Sequence, residues 1–256
     1  MTIESRDPCT FLTWDTEFWG VPTARGLGDT LTPERLQEID AWAARQRISC
    51  LYFLARPDDA ETTRLAEKSG FQFVDFRITF ERPIKGAVNL AEARANLVAV
   101  VRSGRPDDIE ALESMARTNH RDTRFYYDAH FLHHRCDALY ATWMKRNCEG
   151  YADVVLVADI DDNPVGYISC HCDRETPTGT IGLVGVHPDA RGRGIGMSLI
   201  GAALKWFAAH NRERVSVVTQ GRNLAAQRMY QRMGFLTSDV HLWYHKWYIW
   251  ERPSGD

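Results

Sequence analysis

Apolar residues recur at spacings of three and four through several stretches of the chain, and alternate or run together in the segments between them. The clearest helical stretch is 196–211, where Leu199, Ile200, Ala203, Leu204 and Phe207 share one face and predict an amphipathic or largely buried helix. Ahead of it, "DVVLVADI" (153–160), "VGYISCHC" (165–172) and "GTIGLVGVHP" (179–188) predict three consecutive strands, with "DDNP" as the first turn. Tight turns make that trio an antiparallel meander. Behind it, "RVSVVTQ" (214–220) predicts a short strand, and Asn223 stands where it would cap a helix over 224–233. Gly234 closes that helix, and the aromatic run 235–250 follows as one strand or a pair. Residues 97–104 predict a strand, 105–119 a helix with acids in its first turn, and 125–147 another helix.

The N-terminal part has its own pattern. Helices are predicted over 32–48, capped by Thr32, and over 58–70, closed by Gly70; strands are predicted over 50–56 and 71–83. Strand, helix, Gly-Phe, strand thus occurs twice, ending in Gly70-Phe71 and Gly234-Phe235. The repetition fits an internal duplication with one degenerate copy, and equally a common connection between helix and strand. The composition shifts over "ERPIKGAVNLAEAR" (81–94). A boundary near residue 90 then separates a smaller α/β domain (1–90) from a larger one (91–256).

Composition removes some function classes. The net charge of -3 offers no strong basic field for nucleic acid or anionic membrane. No apolar run is long enough to span a bilayer and no signal peptide is visible, so a cytoplasmic location is expected. The six cysteines are scattered, and Cys170 and Cys172 in "SCHC" lack a metal-binding spacing on a predicted strand. No metal is expected.

The chemistry is concentrated in "VHPDARGRGIG" (186–196). Glycines at 192, 194 and 196 alternate, with Arg191 and Arg193 between and before them. A strand, a glycine-rich turn and a helix form an anion site, because the first-turn N–H groups lack helical partners and the helix dipole is positive there. The dinucleotide fingerprint fails, since Met197 stands where its third glycine is required, and the Walker pattern is absent.

"LVGVHPDARGRGIGMSLI" resembles the acetyl-CoA-binding signature of the GCN5-related N-acetyltransferase (GNAT) superfamily. "NLAAQRMYQRMGF" (223–235) keeps the Asn, Tyr and Gly-Phe spacing often seen there, although Met229 stands where some relatives carry arginine near the coenzyme. The resemblance implies an α/β (α+β) fold: a mixed, mostly antiparallel sheet with a splayed central strand pair, preceded by a smaller α/β N-terminal domain. It implies acetyl-CoA as cosubstrate. Val184, Gly185 and Val186 would face the pantetheine arm; Arg191, Gly192, Arg193, Gly194, Ile195, Gly196 and Met197 would surround the pyrophosphate; Asn223 would touch the coenzyme. Tyr230 would protonate the departing thiolate, and the Val186 N–H would steady the developing oxyanion. No base announces itself: His187, Asp122, Asp128, His130, His241 and a water chain are all open.

The opening "FLTWDTEFWGVPTARG" (11–26), with "DTRFYYDAHF" (122–131) and "TSDVHLWYHKW" (237–247), is similar to sugar-nucleotide amine acetyltransferases of the TDP-fucosamine type. That similarity implies a dTDP-linked amino sugar as acceptor and favours a homodimer. Trp14, Phe18, Trp19 and Tyr126 would then stack on thymine or sugar, and Arg121 and Arg124 would pair with phosphate. Residues 11–26 read equally as a hydrophobic edge strand. A different small amine or a protein N-terminus would also serve as acceptor for this chemistry, and an acyl-CoA-binding module without turnover would carry the same glycine turn.

Overall fold

The computed structural model describes residues 7–84 and 99–250. The chain divides into two compact units, Met1–Arg77 with Tyr127–His130 and Val240–Asp256, and Ile78–Tyr126 with Phe131–Asp239. The division in the first half of the chain thus falls at Arg77/Ile78; the boundary expected near residue 90 lies outside the described residues. Two long strands, β4 (Phe71–Pro83) and β10 (Leu236–Trp247), each contribute residues to both units.

In the first unit, β1 (Cys9–Phe11) pairs antiparallel with β2 (Thr23–Gly26), which runs parallel to β3 (Cys50–Ala55). β3 then pairs antiparallel with the end of β10, from Leu242↔Ala55 to Trp247↔Cys50. This pairing places the C-terminal aromatic segment with the N-terminal residues. β3 is buried along almost its whole length, which is why it reads as an unbroken apolar run rather than an alternation. Helix α2 (Pro33–Arg45) turns Ile39, Trp42 and Ala43 onto it, and Thr32 caps the helix by accepting from the Arg35 N–H. Residues 13–19, inside the stretch that also reads as an edge strand, form a short helix, α1 (Thr13–Trp19). It ends on Gly20, whose left-handed φ of 75° lets the chain turn out of the helix.

The segment Tyr127–His130 is held in this unit by one carboxylate. Asp128 accepts from His245 Nδ1 (2.7 Å), Trp247 Nε1 (2.9 Å), His130 Nδ1 (2.8 Å) and the His130 N–H (3.0 Å). Burial alone would raise the Asp128 pKa; the donors reverse this and hold it well below the usual range.

In the second unit, β6 (Val154–Ile160), β7 (Asn163–Cys172) and β8 (Thr178–Val186) form the predicted antiparallel meander, with β5 (Val100–Ser103) added outside β6. The β6–β7 turn carries Asp161 and Asp162 with φ of 50° and 60°, a conformation aspartate tolerates. Helix α6 (Ile195–Ala209) crosses over to β9 (Arg214–Gln220), which runs parallel to β8. Ile195, Leu199, Ile200, Ala203, Leu204 and Phe207 of α6 pack on Ile168, Cys170, Ile181, Val215 and Val217.

Helix α7 (Leu224–Arg232) follows β9, and helix α3 (Ala60–Lys68) follows β3. Asp59 caps α3 and Asn223 caps α7; Gly70 and Gly234 each follow their cap by eleven residues with φ of 82° and 78°. The recurrence therefore extends to cap, length and terminator. It does not extend to chemistry, because Ala66 stands in α3 where Tyr230 stands in α7.

Candidate active site

The site begins where β8 and β9 part. Their pairing runs from Thr178↔Arg214 to Ile181↔Val217 and stops, although β8 continues to Val186. The register between β7 and β8 shifts at the same level, between Ile168 and Cys170. There the Leu183 N–H donates to the Ser169 hydroxyl (2.8 Å). An irregularity of this kind bends the strand and raises its twist, separating it from one neighbour while the other still holds it. Beyond the shift, the His187 N–H donates to the Val165 carbonyl on the β7 side (2.8 Å). Alternation along a strand then turns the Val184 and Val186 N–H groups away from β7, toward β9.

A cleft of about 560 Å³ opens on that side. Val184, Gly185 and Val186 line it, followed by Arg191, Gly192, Gly194, Ile195, Gly196 and Met197; Asn223 and Met229 of the α7 region lie opposite. Gly192 and Gly194 have φ of 76° and 80°, which side chains strain to adopt. At Gly196 a Cβ would lie 2.6 Å from Met229 Sδ, so a side chain there would displace the end of that flexible methionine. The first helical hydrogen bond of α6 is Ser198 N–H to the Gly194 carbonyl (3.1 Å). The N–H groups of 195–197 therefore precede the helical ladder and are available to an anion at the floor of the cleft.

The other expected residues take varied positions. Arg193 is exposed and is not among the cleft-lining residues. Asn223 lines the cleft while its Oδ1 caps α7 by accepting from the Ala226 N–H (3.1 Å). Tyr230 is buried against Phe80 and Phe235. Burial pushes its hydroxyl well above the usual phenol range, which keeps it protonated. It does not itself line the cleft, but Ala226, one turn earlier on α7, does. None of Trp14, Phe18, Trp19, Arg121, Arg124 and Tyr126 lines this cleft. On α1 in the first unit, Trp14 stacks on Phe18, and Phe18 meets Trp19 edge to face. In the second, the Tyr126 hydroxyl donates to Asp137, and Arg124 lies over the Phe125 ring.

Of the base candidates, Asp122 lines the cleft. Asp128 is committed to its four donors in the first unit, and His187 begins a turn, accepting from the Asp189 N–H. Among the described residues no group of three or more His, Cys, Asp or Glu is placed to hold a metal ion, and no helix is long and apolar enough to cross a membrane.

Asn119, Ala225, Ala226, Arg228 and Arg232 also line the cleft. Arg228 and Arg232 carry a signal in the sequence, a basic pair at i, i+4 on the helix capped by Asn223. Asn119 carries none; it ends α4 (Ile109–Asn119), which reaches the cleft only by packing on β7 and β8.

Comparison with known proteins agrees with this geometry. The model of the acetyltransferase (GNAT) family matches residues 110–235. The spore coat polysaccharide biosynthesis protein SpsD of Bacillus subtilis is 28% identical over 142 residues, 56% of this chain and 48% of that protein. An acetyltransferase of Sodalis glossinidius is 32% identical over 111 residues, covering 41% of this chain and 76% of its own length. Among solved structures, a GCN5-related N-acetyltransferase from Sphaerobacter thermophilus superimposes with a TM-score of 0.68 at 15% identity, over 93% of this chain and 76% of that one. The chain spans about half the length of SpsD. With a strand that leaves its neighbour and runs into a glycine turn, and with both sequence and fold matching, the chain belongs to the GNAT family of acetyltransferases.

Proposed function

We propose that the chain moves an acetyl group from acetyl-CoA, the cosubstrate of its family, to the amine of a nucleotide-linked amino-deoxysugar. The observation that carries the first half is the cleft: the inner N–H groups of Val184 and Val186 lead to the amides of 195–197. Such a line of donors suits an amide-bearing arm that ends in a diphosphate. Arg228 and Arg232 supply positive charge on the facing helix.

The reaction is a direct transfer. The neutral amine attacks the acetyl carbonyl carbon, the carbon–sulfur bond breaks, and the amine releases a proton to water or to Asp122. The Val186 N–H meets the negative charge that grows on the carbonyl oxygen, and Tyr230 gives its proton to the leaving sulfur. A phenol kept neutral by burial suits that donation.

The sugar acceptor is supported by SpsD, whose name places it in polysaccharide biosynthesis, and by the aromatic opening segment. Trp14, Phe18, Trp19 and Tyr126 are proposed to stack on the acceptor, and Arg121 and Arg124 to meet its diphosphate. A cytoplasmic homodimer is the proposed setting. The test is calorimetric titration with acetyl-CoA, then thiol release with dTDP-4-amino-4,6-dideoxygalactose beside simple amines and peptide N-termini. Binding with release on the sugar nucleotide alone supports the full reading. Release only on another amine replaces the acceptor, and binding without release on any amine favours an acyl-CoA-binding module.

A further inference from the structure

Arg191 heads the glycine turn, where its charge would face phosphate. Its guanidinium is engaged elsewhere. Nη2 donates to Asn119 Oδ1 at 2.7 Å, and Nε donates to the Val186 carbonyl oxygen at 3.2 Å. A guanidinium can only donate, so the amide of Asn119 must present its oxygen to Arg191 and its nitrogen elsewhere. That nitrogen is buried and points across Gly185, where a Cβ would lie 2.6 Å from it. The Tyr167 ring fills the same space. Arg191 thus joins the end of α4 to the last peptide of β8, and its donor fixes which end of the Asn119 amide faces it.

We propose that Asn119 is a positioning residue for acetyl transfer: it holds Arg191 as a strut on the end of β8 and keeps that cation off the coenzyme's phosphates. The proposal rests on the coenzyme reading of the cleft. Anchoring the Val186 carbonyl steadies the peptide plane beside the proposed oxyanion donor. Diphosphate binding is then left to the amides of 195–197 with Arg228 and Arg232.

Four variants of the full chain test this: Asn119→Ala, Asn119→Asp, Arg191→Ala and Arg191→Lys. Aspartate still accepts from Arg191, whereas lysine keeps the charge but lacks the planar fork whose Nε and Nη2 reach the two acceptors. The first measurement is amide hydrogen exchange over the β8 segment. Exchange should rise about tenfold in Asn119→Ala and in both Arg191 variants, and stay as in the parent in Asn119→Asp. The second is calorimetric titration with coenzyme A at about 0.05 and 0.3 M salt. Arg191→Ala should change affinity less than about threefold, with the salt dependence kept. Equal exchange in Asn119→Asp and Asn119→Ala overturns the strut. A steep loss of coenzyme A affinity in Arg191→Ala, with a flattened salt dependence, makes Arg191 a phosphate ligand and overturns the proposal as well. If the parent chain binds no coenzyme A, the coenzyme reading fails, and the exchange measurement alone still decides whether Asn119 and Arg191 brace β8.

Discussion

Tyr167 and Gly185 stand opposite each other on β7 and β8, and the tyrosine ring occupies the volume that a side chain at 185 would need. A Cβ built there would lie 2.4 Å from Tyr167 Cζ and 2.5 Å from its hydroxyl oxygen. The hydroxyl is itself held, 2.8 Å from His120 Nε2, and the His120 ring stacks on Tyr140. Burial, with Arg191 nearby, pushes the His120 pKa down to about 4, so the imidazole is neutral near pH 7 and free to accept. Gly185→Ala is therefore expected to cost about 1–3 kcal/mol by overpacking, read as a lower urea midpoint at unchanged slope. An unchanged midpoint would show that Tyr167 yields without cost.

Tyr230→Phe removes only a hydroxyl from a buried ring. Turnover should fall about a hundredfold or more, while acetyl-CoA affinity stays within a factor of about two. Steady-state kinetics beside calorimetry separate the two quantities. Because burial raises this phenol's pKa, the parent should show no alkaline loss of activity from Tyr230 up to the ordinary phenol range near about pH 10. Full turnover in the phenylalanine variant would remove Tyr230 from the mechanism.

Gly194→Glu tests the cradle twice over. It places a side chain at a left-handed φ of 80° and a carboxylate where an anion is to bind. Acetyl-CoA binding should vanish from calorimetry. Retained binding would move the diphosphate away from this turn.

Arg228 and Arg232 are exposed on the cleft side of α7 and are expected to contribute modestly. Replacing both with alanine should weaken acetyl-CoA binding about five- to thirtyfold at low salt, at roughly 0.5–1 kcal/mol each, and reduce the salt dependence. Equal affinities at both salt levels would show that neither meets the coenzyme.

Asp128 gives a pH-dependent term in the first unit. Its folded pKa lies below its unfolded value, so its contribution is complete above the unfolded value near about pH 4 and declines as pH falls toward the folded one. Asp128→Asn should cost about 1.5–3 kcal/mol at neutral pH. Urea unfolding of both proteins across pH should show that gap constant from about pH 7 to 5 and narrowing below about 4. A gap independent of pH would mean that the carboxylate's charge plays no part.

Much of the second unit was legible because its signals are local. The meander, α6, the Asn223 cap and Gly234 each depend on residues within one or two turns of each other, and each formed where the periodicity and caps placed it. The glycine turn was legible for the same reason, since a backbone that must run at positive φ admits few residues. The segment 11–26 was harder. Its closely spaced aromatics satisfy a strand pattern as well as a helix, and the short α1 emerged between two strands.

The sequence by itself thus determined the meander, α6, the glycine turn and the spacing from Asn223 to Tyr230 and Gly234-Phe235, all set by short-range sterics and hydrogen bonding. Tertiary structure alone decided where β8 and β9 part, that Leu242–Trp247 pairs with β3, and that Arg191 spends its donors on Asn119 and Val186. Asn119 and Arg191 are 72 positions apart. No periodicity reaches that far, because a guanidinium's partner is chosen by whichever acceptor packing brings within about 3 Å.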